Sequence, residues 1–421
     1  MISFRRHILP NGLRIIHHYD GSTKMTALNL LYDVGSKDES PERTGFAHLF
    51  EHLMFGGSVN IPDFDTPLQK AGGENNAWTS NDVTNYYTVV PTHNAETAFW
   101  LESDRMLSLA FSSESLSVQK QVVIEEFKQR NQPYGDSFLL LRPMAYRVHP
   151  YRWPVIGKNT SHIGNASLEE VKEFFFAHYA PNNAILSISG SLPFDEAILL
   201  CEKWFAPISR REVACRDLPQ EPVQTKPHKK IVEREVPLDA IFKAYHMVDR
   251  KHPDYQGYDA LSDVLASGRS SRLYRRLVME KKLFTEIDSS ITGDIEPGLF
   301  LLKGKLSPGI SLEQGEEAIE MELRRMREEL LEQRELDKVI NRFESNDLFS
   351  NLHYLNKATN LAYYELLGGA ENIDTEVEKY KKLTPFDLRR IAEKLFVPEN
   401  SSTLWYKSVH AKREIITDVS D

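Results

Sequence analysis

Residues 167–188, SLEEVKEFFFAHYAPNNAILSI, align without a gap to residues 384–405, TPFDLRRIAEKLFVPENSSTLW, at a constant offset of 217 residues. Each stretch opens on a helix-capping residue, Ser167 or Thr384, whose side-chain oxygen can accept an amide proton left over at a helix start. Apolar positions then recur at helical spacing: Val171, Phe174, Phe175 and His178 against Leu388, Ile391, Ala392 and Leu395. Each helix closes before a proline, Pro181 or Pro398, followed by Asn183 or Asn400 and a strand-like run. The offset is close to half of the 421 residues, so the chain reads as two similarly folded domains in tandem. Between them, PISRREVACRDLPQEPVQTKPHK (207–229) has four prolines, many charges and no periodicity, the composition of a connector. The expected division is a domain over 1–213, a linker over 214–228 and a second domain over 229–421.

Working outward, HILPNGLRIIHH alternates apolar and polar residues around Pro10-Asn11-Gly12, a turn between two strands. Further strands are expected at 27–35, 85–90 and 184–189, and helices at about 41–55, 94–110, 114–131 and 167–178. Strands mixed with long helices give an α/β (α+β) class, each domain a mixed, mainly antiparallel sheet covered by helices. Residues 316–345 read as one surface helix with a buried stripe at Ile319, Leu323, Met326 and Leu330.

Composition narrows the function. Fifty-one basic residues against 61 acidic ones give a net charge of −10, which argues against a nucleic-acid or anionic-membrane partner. Cys201 and Cys215 are the only cysteines, so a disulfide framework and a cysteine-rich metal site are excluded. No apolar signal segment opens the chain, no long uncharged apolar run follows, and the mean hydropathy is −0.43. These features point to a soluble, cytoplasmic protein. No G-x-x-x-x-G-K-[ST] phosphate loop is present.

One segment carries chemistry: GFAHLFEHLMF, residues 45–55, with His48, Glu51 and His52. At about 100° per residue the two histidines lie about 40° apart on a helix, one turn from each other, and Glu51 occupies the adjoining strip. Two imidazoles so placed can bind one zinc ion, and the glutamate can reach a water on it. The rest of the segment is apolar on almost every face, so the helix is buried and its polar groups need partners. Histidines held without metal are the plain alternative. A third ligand is sought on SSESLSVQKQVVIEEFKQR (112–130). There Glu126 falls inside the face marked by Leu116, Val118, Val123 and Phe127, while Glu125 falls at its edge. Glu126 is therefore the better candidate, satisfied either by a cation or by hydrogen-bond donors. Other residues offer less. His17 and His18 are strand neighbours pointing to opposite faces, His246 and His252 are six apart, and Tyr86 or Tyr87 could donate to an oxyanion or serve only as strand aromatics.

The chain resembles the pitrilysin, insulin-degrading enzyme and mitochondrial processing peptidase family of zinc peptidases, the inverzincins, which carry H-x-x-E-H. In that family a further glutamate follows at about this distance; here Glu126 lies 74 residues after His52. The resemblance extends to GENNAWT (73–79), HPYRWPVIG (149–157) and GRSSRL (268–273). It implies His48, His52 and Glu126 as ligands of one zinc ion per chain and Glu51 as general base. It implies Asn76, Ala77, Trp78 and Thr79 as a substrate-binding edge strand, and a peptide substrate. Gln119 stands where relatives often have another carboxylate on the same helix face as the zinc glutamate, and Val278 and Thr285 stand where active single-chain relatives carry an arginine and a tyrosine. The expectation is therefore a metal-bearing subunit of a homodimer or heterodimer, whose partner supplies that pair. The competing expectation is a non-catalytic structural subunit; a metal-storage or sensing module would have no use for Glu51.

Overall fold

The structure, a computed structural model, describes residues 2–129, 132–213 and 215–409. Two compact units emerge. The first draws on residues up to Lys128, on Trp153–Pro219 and on Asn346–Glu376; the second on Gln129–Arg152, Gln220–Ser345 and the chain from Val377. Contiguous halves thus describe most of each unit, but each also takes a helix from the opposite half of the sequence.

The first unit is built on strands β1 (Arg5–Ile8), β2 (Arg14–Tyr19), β3 (Met25–Tyr32), β4 (Glu74–Thr79), β5 (Thr84–Pro91) and β6 (Ala184–Gly190). Their order across the sheet is β1-β2-β6-β3-β5-β4, with every pair antiparallel except β2 and β6. The second unit has β7 (His228–Arg234), β8 (Ala240–His246), β9 (Phe284–Ile291), β10 (Leu299–Leu306) and β11 (Ser401–Ser408). Its order is β7-β11-β8-β10-β9, again with a single parallel pair, β7 and β11. Both sheets are mixed and mainly antiparallel, as the sequence predicts.

The repeated segment occupies the same place in both. Ser167 and Thr384 close capping boxes with Glu170 and Asp387, and the helices they start, Leu168–His178 and Pro385–Leu395, end 217 residues apart. The strands that follow, β6 and β11, each insert between a parallel and an antiparallel neighbour. The asparagines explain the match. Asn183 donates its side-chain amide to the carbonyls of His178 and Asp33, and Asn400 donates to those of Leu395 and His246. Each therefore joins the end of its helix to a neighbouring strand, satisfying carbonyls that helix termination leaves without donors.

One face of each sheet packs into a large apolar core under its helices. The other face of the first sheet is covered by the helix Tyr354–Leu367, whose Ala358 packs on Ala27 and Val89. Asn29 and Asn85 exchange amide hydrogen bonds beneath it, and Thr359 donates to Asn29. The corresponding face of the second sheet is covered by the helix Ser137–Ala145, whose Leu141 and Ala145 pack on Phe242, Leu404 and Tyr406. The two covering helices also start 217 residues apart.

Three expected elements differ. The helix expected from residue 41 begins only at Phe46, because Gly45 adopts a left-handed φ of 93° with Ile156 so close that a β-carbon would lie 2.8 Å from its carbonyl oxygen. The long polar element is two helices, Leu312–Glu328 and Gln333–Ser350. Glu329 turns extended, so Leu331 enters the core and Leu330 is exposed. On the helix Ser113–Gln129, Val118 and Val122 are exposed while Leu116 and Val123 are buried. No helix among the described residues is long and apolar enough to cross a membrane.

Asn400→Ala or Asn183→Ala would leave two carbonyls without their donor. Each substitution is expected to lower the free energy of unfolding by about 1–3 kcal/mol in urea titration.

Candidate metal centre

The helix Phe46–Leu53 lies in the first unit with Phe46, Ala47, Leu49, Phe50 and Leu53 buried. Its backing is the repeated segment. The Phe50 ring stacks on Phe174 at 5.3 Å and on Tyr179 at 5.1 Å, and Phe46 meets Phe174 at 5.9 Å. Tyr86, fully buried in β5, donates its hydroxyl to the Phe50 carbonyl at 3.2 Å. It is committed to the helix and is not an oxyanion donor. Tyr87, next along the strand, belongs to the opposite face and packs near Ala27, Val89 and Ala358.

His48 and His52 present their rings edge to face, 4.9 Å between centroids. Glu126 reaches them from the helix Ser113–Gln129. One carboxylate oxygen lies 3.5 Å from His48 Nε2 and the other 3.6 Å from His52 Nε2. These separations are long for hydrogen bonds. They suit a shared cation: ligand atoms about 2.0–2.2 Å from a tetrahedral zinc ion stand about 3.3–3.6 Å apart. The three residues each offer one ligand atom within 4.8 Å of the other two, the only such group of three found among the described residues. Two imidazole nitrogens and a carboxylate form a donor set suited to catalytic zinc, which takes its fourth ligand from water or substrate.

Glu51 accepts a hydrogen bond from the Thr79 hydroxyl at 2.7 Å. Burial raises its carboxyl pKa above the ordinary value, while Thr79 and the neighbouring His52 oppose the rise. Thr79 ends β4, the sheet edge. Along this strand Asn76 and Trp78 are exposed, whereas Ala77 and Thr79 are half-buried. The Asn76 carboxamide accepts the Ala77 amide proton at 2.8 Å. Gln119 is half-buried two turns before Glu126. Three of the other histidines weighed have structural partners: His17 meets the carbonyl of Leu192, His18 that of Ser3, and His246 that of Ala145.

Glu39 is a residue that motif reading missed. Buried, it accepts the backbone amides of Gly45 and Ala47, each at 2.9 Å, at the start of the histidine helix. The available signal was indirect: a buried helix beginning at a glycine has no side-chain cap of its own and must find an acceptor elsewhere.

In the second unit, Gly268–Leu273 leads into a π-helical stretch, Tyr274–Glu280. Val278 packs against the apolar core there, and Thr285 donates to the Lys305 carbonyl.

Two family models match the chain: "Insulinase (Peptidase family M16)" over residues 14–158 and "Peptidase M16 inactive domain" over 165–343. A zinc protease PqqE of Helicobacter pylori is 29% identical over 95% of this chain and 91% of its own length. An uncharacterized zinc protease, YmxG, of Bacillus subtilis is 24% identical over 95% and 97%. A crystal structure of a protease from Helicobacter pylori superimposes with a TM-score of 0.90 at 28% identity, covering 97% of this chain and all of that one.

Burial drives the Glu39 carboxyl up to about 8, against the pull of the Gly45 and Ala47 amides. A carboxyl raised in the folded state favours folding most when protonated, so its contribution falls as pH rises from about 4.5 to about 8 and then levels. The stability of the wild type relative to Glu39→Gln should decline across that window, measured by urea unfolding at a series of pH values.

Proposed function

Because the chain belongs to peptidase family M16, the insulinase family, in its short two-domain form, we propose that it is a zinc-dependent endopeptidase acting on short or unfolded peptides. The observation that carries this is the convergence of His48, His52 and Glu126 on one point, with Glu51 on the same helix. When bound there, zinc supplies Lewis acidity, polarising a carbonyl and lowering the pKa of water toward neutrality. Glu51 acts as the general base: it takes a proton from the attacking water and delivers it to the departing amine. Its partial desolvation strengthens its hold on that proton between the two transfers. The peptide lies along β4 as an added strand, which places its scissile carbonyl before Glu51. To admit it, the Asn76 carboxamide gives up the Ala77 amide to the incoming backbone.

The second half carries no H-x-x-E-H, and Val278 and Thr285 offer neither a guanidinium nor a phenol. The metal-bearing chain therefore works in a dimer, with itself or with a related chain, whose partner supplies an arginine–tyrosine pair. Those two residues also favour a second reading, a structural subunit without activity; Glu51 beside two candidate ligands speaks against it.

Elemental analysis should find one zinc ion per chain, and cleavage of an unstructured peptide should stop on chelation. Glu51→Gln is expected to lower kcat by about 10²–10⁴-fold with zinc retained. His48→Ala, His52→Ala and Glu126→Ala should each lose the metal. Zinc without cleavage, with or without a partner chain, would favour the structural reading; full activity from a monomer would remove the need for the partner.

A further inference from the structure

The loop joining β3 to the histidine helix holds two elements at once. Toward the β4–β5 hairpin, Ser36 N donates to the Ser80 carbonyl, Lys37 N donates to that of Asn81, and the Lys37 ammonium pairs with Asp82 at 2.7 Å, both side chains buried. Gly35 lies so close to the hairpin that a β-carbon there would stand 2.4 Å from the Asn81 carbonyl oxygen. The Thr84 hydroxyl, opposite Thr79 in the ladder, donates to the Val34 carbonyl. Toward the helix, Glu39 from the same loop receives the amides of Gly45 and Ala47. Six residues, Val34 to Glu39, thus tie the start of the histidine helix to the end of the edge strand.

Across that clamp a side-chain hydrogen bond runs from the edge strand β4 to the side chain of the candidate base: Thr79 Oγ1 to Glu51 Oε2. We propose that Thr79 is the positioning residue for the general base, orienting the Glu51 carboxylate from the strand on which the peptide lies. The reasons are geometric. Thr79 belongs to the clamped end of β4, so its hydroxyl has a fixed origin. A glutamate side chain on a helix has three rotatable bonds, and a donor on one oxygen removes much of that freedom before substrate arrives. A carboxylate offers about four lone-pair sites, so acceptance from Thr79 leaves capacity for a water. The hydroxyl donates to Glu51, while the candidate ligand atoms belong to His48, His52 and Glu126. Its loss should therefore affect the reaction step and leave metal binding intact.

This inference rests on the peptidase reading, and the test separates the two. Thr79→Val, Thr79→Ala and Thr79→Ser are compared with the wild type and Glu51→Gln, each as the full chain in the form that shows chelator-sensitive cleavage. The expected result for Thr79→Val and Thr79→Ala is a kcat reduced about tenfold or more. KM and the zinc dissociation constant from chelator competition should stay within twofold, and Thr79→Ser should retain most activity. The Ser and Ala variants differ by one oxygen, so they carry the comparison if the valine variant does not fold. Equal kcat in Ser and Ala variants beside an inactive Glu51→Gln overturns the positioning role alone. Loss of zinc together with activity in the Ala variant also overturns it, because the effect is then structural. An inactive wild type overturns both readings.

Discussion

A carboxylate buried at the start of a helix sets the geometry on which the rest of the candidate centre depends. Glu39 meets Gly45 and Ala47 where the chain leaves a left-handed turn and begins to coil. A helix of eight residues has few internal hydrogen bonds, so its direction depends on what holds its ends and faces. Here the amino end is held by Glu39, one face by the rings of Phe174 and Tyr179, and the Phe50 carbonyl by Tyr86. His48 and His52 inherit their direction from these supports. Glu126 arrives from a separate helix, and the convergence of the three becomes a matter of packing between elements.

Much of this was legible in the sequence. The 217-residue offset reported a real structural unit because Asn183 and Asn400 do the same work in both halves, and such a residue leaves a mark at a fixed position. The spacing of His48, Glu51 and His52 was legible because helical periodicity is local. Glu126 was legible in part: the apolar face used to select it included Val118, which is exposed, while Leu116 and Val123 gave its direction correctly.

The residues that escaped notice share a physical character. Glu39 and the Val34–Glu39 loop act through backbone groups, and a carboxylate that accepts main-chain amides leaves no spacing rule behind. Thr79 stood out only as part of an edge-strand pattern, with no hint that its hydroxyl turns toward a helix 28 positions earlier in the chain. The covering helices escaped for another reason. An amphipathic pattern shows that a helix will bury one side, but says nothing about which sheet receives it.

That exchange has a consequence for how the protein comes into being. As the chain leaves the ribosome, the first sheet is fully synthesised at Gly190, yet the helix that covers its outer face ends only at Leu367. That waiting face mixes Ala27, Leu31, Val89 and Ile185 with Asn29, Asn85, Ser187 and Ser189, so polar side chains that tolerate water interrupt its apolar ones. The second sheet presents Phe242, Leu301, Leu404 and Tyr406 on its equivalent face, but its covering helix was made long before. The more water-averse surface is thus the one that never has to wait for its partner, which limits the sticky surface a nascent chain shows during translation.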